Sequence, residues 1–77
     1  MTILPEQCRA ARALLNWSQT KLSEQASVSR ATLAGFEGDK RTPISNNLEA
    51  IRSTLEKAGV VFIPENGGGA GVRLVKP

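Results

Sequence analysis

Apolar residues recur every three or four positions in two separate stretches of the chain. This spacing places them on one face of an α-helix. The first stretch predicts a helix over residues 5–16, with Pro5 in its first turn, where a missing amide hydrogen costs little. The second predicts a helix that begins at a Ser45 cap and ends before Gly59. The two apolar sets are Cys8, Ala11 and Leu15, and then Leu48, Ile51, Leu55 and Ala58.

Two serines between these stretches predict two short helices joined by a tight turn. The hydroxyl of Ser18 can cap a helix through residue 25, and that of Ser29 can cap another from 30 to about 37. Residues 26–28 are then the turn. Helices this short persist in water only if they bury their apolar residues against each other. Such a pair is typical of a helix-turn-helix, whose second helix can enter a DNA major groove.

The outer face of the second short helix carries unusually small side chains. Leu33 and Phe36 point inward at helical spacing, so the opposite face meets solvent or a partner. Small side chains let a helix approach base edges, where an alanine methyl can contact a thymine methyl and Arg30 can reach guanine. Gly35 has a second interpretation, because glycine is also tolerated near a helix end. The outer residues are Ala31, Ala34 and Gly35, flanked by Arg30 and Thr32.

The last part of the chain changes to two β-branched runs around a glycine-rich loop. Residues 60–63 and 72–75 predict the strands of a β-hairpin, and residues 65–71 its loop. We expect the hairpin either to form a dimer contact or to fold back on the first and fourth helices and complete the core. The apolar residues available for such a contact are Val61, Ile63, Val72 and Leu74. The pattern thus predicts a helical part, residues 1–59, and a hairpin element of the same domain, residues 60–77.

Composition narrows the chemistry that this chain can perform. Its 77 residues carry a net charge of +3, which suits a phosphate-bearing partner without identifying one. With no histidine and a single cysteine, the chain lacks the usual metal ligands, the commonest catalytic base and a disulfide. No apolar run is long enough to span a membrane. We therefore expect no enzyme activity, metal, cofactor or membrane partner, and a reducing cytoplasmic location, with Cys8 as a buried thiol.

The run from Trp17 to Glu37 resembles a known family. Its letters, WSQTKLSEQASVSRATLAGFE, are similar almost position for position to the signature of the lambda repressor and Cro type of helix-turn-helix, also called the Xre family. The Ser-Gln pair, the Val-Ser-Arg turn and the final Glu occur together at the family's spacings. The resemblance extends from Cys8 to about Gly59 and is much looser beyond Val60.

Several positions depart from the family pattern. Ser27 and Asp39 stand where the family normally has glycine, so we expect left-handed or compensated turns there. Ser23 replaces the usual small alanine, and Gly35 replaces a common basic or polar residue that reads bases.

The resemblance implies a mainly α fold, a four-helix lambda-repressor-like DNA-binding domain with a C-terminal β-hairpin. It implies that Gln19 bonds a phosphate and braces the third helix, while Lys40 contacts the DNA backbone. The expected DNA-binding residues are Ser18, Gln19, Ser29, Arg30, Ala31, Thr32, Gly35, Lys40 and Arg41. It also implies an ion pair between Arg12 and Glu37.

The sequence therefore predicts a sequence-specific transcription regulator that binds double-stranded DNA as a homodimer, with the third helix in the major groove. One helix with small side chains makes few contacts, so a second copy is the simplest way to reach specificity. The alternative is a protein-interaction module, such as a DNA-binding antitoxin or an adaptor of another regulator. A steep salt dependence and a preferred sequence would distinguish the regulator from a pure adaptor.

Overall fold

The computed structural model describes residues 2–75 as four helices followed by a two-stranded antiparallel hairpin. This architecture confirms the predicted fold class. The elements are α1 (Pro5–Leu15), α2 (Gln19–Ala26), α3 (Arg30–Glu37), α4 (Ser45–Lys57), β1 (Val60–Ile63) and β2 (Gly71–Leu74). Within this range no helix has the length and apolar character that a membrane crossing requires. Met1 and residues 76–77, the end of the predicted hairpin element, lie outside the described residues.

Ser18 and Ser29 cap α2 and α3 as predicted. Ser18 Oγ accepts a hydrogen bond from the Lys21 amide at 3.0 Å, and Ser29 Oγ accepts one from the Thr32 amide at 3.1 Å. Each bond satisfies one of the amides that the first turn of a helix leaves unpaired. α2 extends to Ala26, slightly further than expected, so the turn lies at residues 27–29.

Left-handed backbone ends the two short helices at the expected positions. Ser27 and Asp39 have φ values of 56° and 59°. The Ser27 amide donates to the Glu24 carbonyl at 3.3 Å, and the Asp39 amide donates to the Phe36 carbonyl at 3.0 Å. These bonds satisfy carbonyls that a helix end leaves unpaired, which compensates for the unfavourable φ of a residue with a side chain.

The predicted Ser45 cap is wrong. Ser45 is the first residue of α4, and Ile44 is the N-cap residue, without a side-chain cap bond. The Ile44 carbonyl accepts the amides of Asn47 and Leu48 at 3.0 and 3.1 Å. The helix therefore begins from the backbone of Ile44, and Ser45 already lies inside the first turn.

One hydrophobic cluster joins all four helices and the hairpin. Leu22 of α2 and Leu33 of α3 have no exposed surface, so the two short helices do bury their apolar residues. Cys8 is fully buried as expected, and Trp17 packs against this cluster. The buried apolar residues are Ile3, Cys8, Ala11, Leu22, Ala26, Val28, Leu33, Phe36, Ile51, Leu55, Val60 and Phe62.

The hairpin folds back on the helices and contributes to the same cluster. Val60 and Phe62 of β1 are 2% and 6% exposed. The buried side chain of Gln7 donates through Nε2 to the carbonyls of Ile63 and Gly71, at 3.1 and 3.0 Å. These bonds hold the loop end of both strands against α1.

The strand register separates the four apolar residues that we expected in one contact patch. Val72 and Leu74 pair with the buried residues of β1, whereas Val61 pairs with Arg73. Directly opposite residues of antiparallel strands project to the same face. Val72 and Leu74 therefore lie on the core side, and Val61 and Ile63 lie on the outer side. The expectation of a single shared patch is wrong, because the alternation of side chains along each strand fixes two faces.

Candidate nucleic-acid interface

The carboxylate of Glu37 joins three helices at the end of α3. Arg12 of α1 donates to both of its oxygens, from Nε at 2.8 Å and from Nη2 at 2.7 Å, which confirms the predicted ion pair. Gln19 of α2 donates from Nε2 to Oε1 at 2.9 Å, so this side chain does brace α3. The thiol of Cys8 donates to Oε2 at 3.1 Å. Glu37 thus ties α3 to both preceding helices.

Burial and hydrogen bonding act against each other at Glu37. Its side chain is 2% exposed, and burial by itself raises the pKa of a carboxyl group. The hydrogen bonds from Arg12, Gln19 and Cys8 outweigh this effect and lower the Glu37 pKa below its ordinary value of 4.5. Burial, followed by the bond to Glu37, raises the pKa of the Cys8 thiol, which keeps its proton. At neutral pH the cluster is therefore an ion pair with a neutral thiol as a further donor.

Two arginines of α1 support the backbone around α3. Arg9 Nη1 donates to the main-chain carbonyl of Glu37, one of the carbonyls that a helix end leaves unpaired. A cation at this end also complements the helix dipole. Arg12 Nη1 donates to the carbonyl of Trp17 at 3.1 Å, which fixes the connection between α1 and α2. The position of α3 is thus set from its inner side.

The N-terminal half of α3 is open on its outer side. Arg30, Ala31 and Ala34 are exposed, whereas Leu33 and Phe36 on the opposite side are buried. The orientation predicted from helical spacing is therefore confirmed for these residues. Among residues 2–75, no ion pair involves Arg30. Its guanidinium is available to a partner.

Ser29 and Thr32 bond to each other at the start of α3. Ser29 Oγ accepts from the Thr32 amide and donates to Thr32 Oγ1 at 2.8 Å. The hydroxyl of Ser29 is thereby used within the helix, whereas the hydroxyl hydrogen of Thr32 remains available to an acceptor. Ser29 positions the first turn, and Thr32 has the free donor.

Gly35 is half-buried because the side chain of Arg41 covers it. A Cβ atom added to Gly35 would lie 3.4 Å from Cγ and 3.6 Å from Cδ of Arg41. The Gly35 carbonyl accepts the amides of Lys40 and Arg41, at 2.9 and 3.3 Å. The loop after α3 therefore returns to the helix. Lys40 and Arg41, both exposed, lie beside its C-terminal half.

The expected contact residues form two groups at opposite ends of α3. Ser29, Arg30, Ala31 and Thr32 lie at its start. The bond between Gln19 and Glu37 brings the start of α2, with Ser18 and Gln19, to the other end, where Lys40 and Arg41 also lie. A helix from Arg30 to Glu37 separates the groups by about 10 Å, which is close to the roughly 12 Å width of a major groove.

Sequence reasoning missed three of these contacts. The bond from Arg9 to the end of α3 and the contact of Arg41 with Gly35 have no local signal, since each joins separate elements. The position of Gln7 in the sequence indicated only one of its contacts. Gln7 stands at the third position of α1, where its Oε1 accepts the Leu4 amide at 2.9 Å, but its bonds to the hairpin cannot be read from that position.

α2 and α3 are joined by a three-residue turn, and α3 is anchored on its inner side and exposed on its outer side, which is the arrangement of a helix-turn-helix. The sequence profile of the helix-turn-helix family matches residues 9–58, from within α1 to the end of α4. The chain belongs to this family, of the lambda repressor and Xre type, which comprises DNA-binding regulatory domains. No curated protein shows a significant match to the chain.

Proposed function

We propose that this chain is a sequence-specific transcription regulator that places α3 in the major groove of double-stranded DNA. The contrast between the two sides of α3 carries the proposal. Its inner side is anchored by Glu37 and by buried apolar residues, and its outer side presents small residues between cations. Long polar side chains suit a merely solvated helix face better, and glycine inside a helix costs about 1 kcal/mol relative to alanine. Small residues favour close approach to base edges.

In this proposal the contacts divide between bases and phosphates. Arg30 donates to a guanine edge, and the methyl group of Ala31 contacts a thymine methyl. Gln19 uses for a phosphate the amide hydrogen that it does not donate to Glu37. Ser18 donates its hydroxyl hydrogen, and Lys40 provides a charged contact from the loop.

Binding to a selected sequence and to random DNA, over a range of salt concentrations, tests these roles. Arg30→Ala should weaken binding to the preferred sequence by about 1 to 3 kcal/mol and relax the preference. Gln19→Ala should weaken binding to all sequences alike, with an unfolding curve recorded because Gln19 also holds Glu37. Lys57→Ala, at an exposed lysine at the end of α4, is the matched control and should change neither the affinity for the preferred sequence nor the preference itself.

Two results would contradict this assignment. Equal losses on specific and random DNA for Arg30→Ala would remove its role in base recognition. Binding with no preferred sequence and no salt dependence would favour the protein-interaction module instead.

We propose further that the regulator is a homodimer joined through the outer side of the hairpin. Specific sites need roughly 4 to 10 kcal/mol of advantage over random DNA, which one α3 with small side chains is poorly equipped to supply. Val61 and Ile63 face outward, and Val75, which follows β2, is 54% exposed. A hairpin also has strand edges that a symmetry-related hairpin can pair with.

Sedimentation and footprinting test the dimer. Val61→Asp should convert it to a folded monomer, because the change lies on the outer side, whereas Val61→Ile should keep the dimer. The operator should be palindromic, with half-site centres about 34 Å or a multiple of it apart. A wild-type monomer at micromolar concentration, with a footprint over a single half-site, would contradict the dimer.

The chain acts in this proposal by binding and not by catalysis. It contains no histidine, and its one cysteine is buried and holds its proton against the Glu37 carboxylate. A thiol in that state is a poor nucleophile. We expect the protein in a reducing cytoplasm, together with the DNA that it regulates.

A further inference from the structure

Gly35 occupies the centre of the outer face of α3. The buried residues Leu33, Phe36 and Glu37 mark the inner side. At about 100° per residue, the direction opposite to them falls between Ala31 and Gly35. A side chain at Gly35 would therefore point toward the DNA that α3 is proposed to meet, but the residue there has none.

The loop after α3 places Arg41 over the outer face of α3 at Gly35. Asp39 reverses the chain with a φ of 59°, and the Gly35 carbonyl then binds the amides of Lys40 and Arg41. The aliphatic part of Arg41 lies over Gly35, since an added Cβ there would lie 3.4 Å from Cγ and 4.0 Å from Nε. Two backbone hydrogen bonds and a packing contact thus hold the start of this long side chain against the helix.

Among the described residues 2–75, no ion pair involves the guanidinium of Arg41. Even the nearby Asp39 does not hold it. Arg41 is exposed as a whole. A guanidinium presents a planar fork of donors, which matches the O6 and N7 acceptors of guanine in the major groove.

From this geometry we infer that Arg41, packed on Gly35, recognises a guanine base. A residue of the loop thereby makes the base contact that Gly35, without a side chain, cannot make. This inference rests on the proposed DNA-binding function and deepens it. A small residue is needed at position 35 because a side chain longer than that of alanine would occupy the space of the Arg41 stem. Alanine still fits, since its Cβ would make an ordinary van der Waals contact.

Selection of binding sites from random DNA, with the full chain and its variants, tests the inference. In the wild type, one position of the selected site should be a guanine that depends on Arg41. Arg41→Lys keeps the charge but loses the fork, so it should lower the preference at that position about tenfold and leave the salt dependence unchanged. Gly35→Leu should remove the same preference by displacing Arg41, whereas Gly35→Ala should keep it. The double variant Gly35→Leu with Arg41→Ala should resemble Arg41→Ala alone.

Three results would contradict different parts of the inference. If Arg41→Ala weakens specific and random DNA equally, lowers the slope of log K against log salt by about 1 and changes no selected position, then Arg41 is only a phosphate contact and the inference is overturned. If Gly35→Leu leaves the preference for guanine intact, the inference that packing on Gly35 positions Arg41 is overturned. A wild type that selects no sequence would overturn the proposed function, and this inference with it.

Discussion

The inner and outer sides of α3 differ in their burial and in the bonding of their charged side chains. On the inner side, the Glu37 carboxylate receives four hydrogen bonds and is almost completely buried. On the outer side, Arg30 and Arg41 are exposed and have no ionic partner among residues 2–75. A buried charge is stable only when it is paired and hydrogen-bonded, whereas exposed side chains contribute little to stability. Apart from Gln19, which holds Glu37 and is also proposed to contact a phosphate, the residues that hold the helix are separate from those offered to a partner.

The inner side should show the largest effect on stability. Glu37→Ala leaves the guanidinium of Arg12 without its partner at the junction of three helices. We expect a loss of about 3 to 5 kcal/mol in the free energy of unfolding, measured by urea denaturation. Glu24→Ala, at an exposed glutamate of α2, is the matched control and should change it by no more than about 0.5 kcal/mol. An unchanged midpoint for Glu37→Ala would show that the cluster does not anchor α3.

Glu37 should also make stability depend on pH. Its pKa is lowered in the folded state, so its stabilising contribution is complete above the ordinary value of 4.5 and is lost as the pH falls through the lowered pKa. The difference in unfolding free energy between the wild type and Glu37→Gln should therefore shrink below that pH. Glu49 and Glu65, whose pKa values are lowered by Arg52 and by loop amides such as that of Gly69, titrate in both proteins and cancel. A difference that stays constant down to about pH 3 would contradict this assignment.

The start of α3 should show an intermediate effect. Ser29→Ala removes the cap of α3 and should cost about 1 kcal/mol. Ser45→Ala is a sharp control, because Ser45 looks like a cap in the sequence but makes no cap bond. It should change stability by less than about 0.5 kcal/mol. Thermal unfolding of the two variants measures the difference, and equal losses would mean that Ser45 stabilises α4 in another way.

The outer side should show the smallest effect on stability and a clear effect on binding. Ala34→Glu places a carboxylate on the exposed face of α3, where it should change the unfolding free energy by no more than about 0.5 kcal/mol. Binding to every DNA sequence should fall, because the new charge opposes the phosphates. Ala10→Glu makes the same change on the exposed side of α1 and should reduce binding less. Equal losses from both variants would indicate that only net charge matters.

Local patterns in the sequence predicted the parts of this fold that depend on neighbouring residues. Ser18 and Ser29 cap helices through amides three residues away, whereas the left-handed turns at Ser27 and Asp39 were expected from the family resemblance. The resemblance to the lambda repressor family added the pair of Arg12 and Glu37. The Ser45 prediction failed because Ile44 began the helix with its backbone, which no side-chain pattern reveals.

The sequence by itself determined the four helices, the helix-turn-helix and the orientation of α3, because helical spacing and caps act within one or two turns of the chain. Only the tertiary structure decided which side of the hairpin faces the core, that Arg9 supports the end of α3, and that Arg41 covers Gly35. Each of these depends on where the chain path brings separate elements together. A strand pattern shifted by one residue reverses its faces, and a long arginine side chain can reach several neighbours.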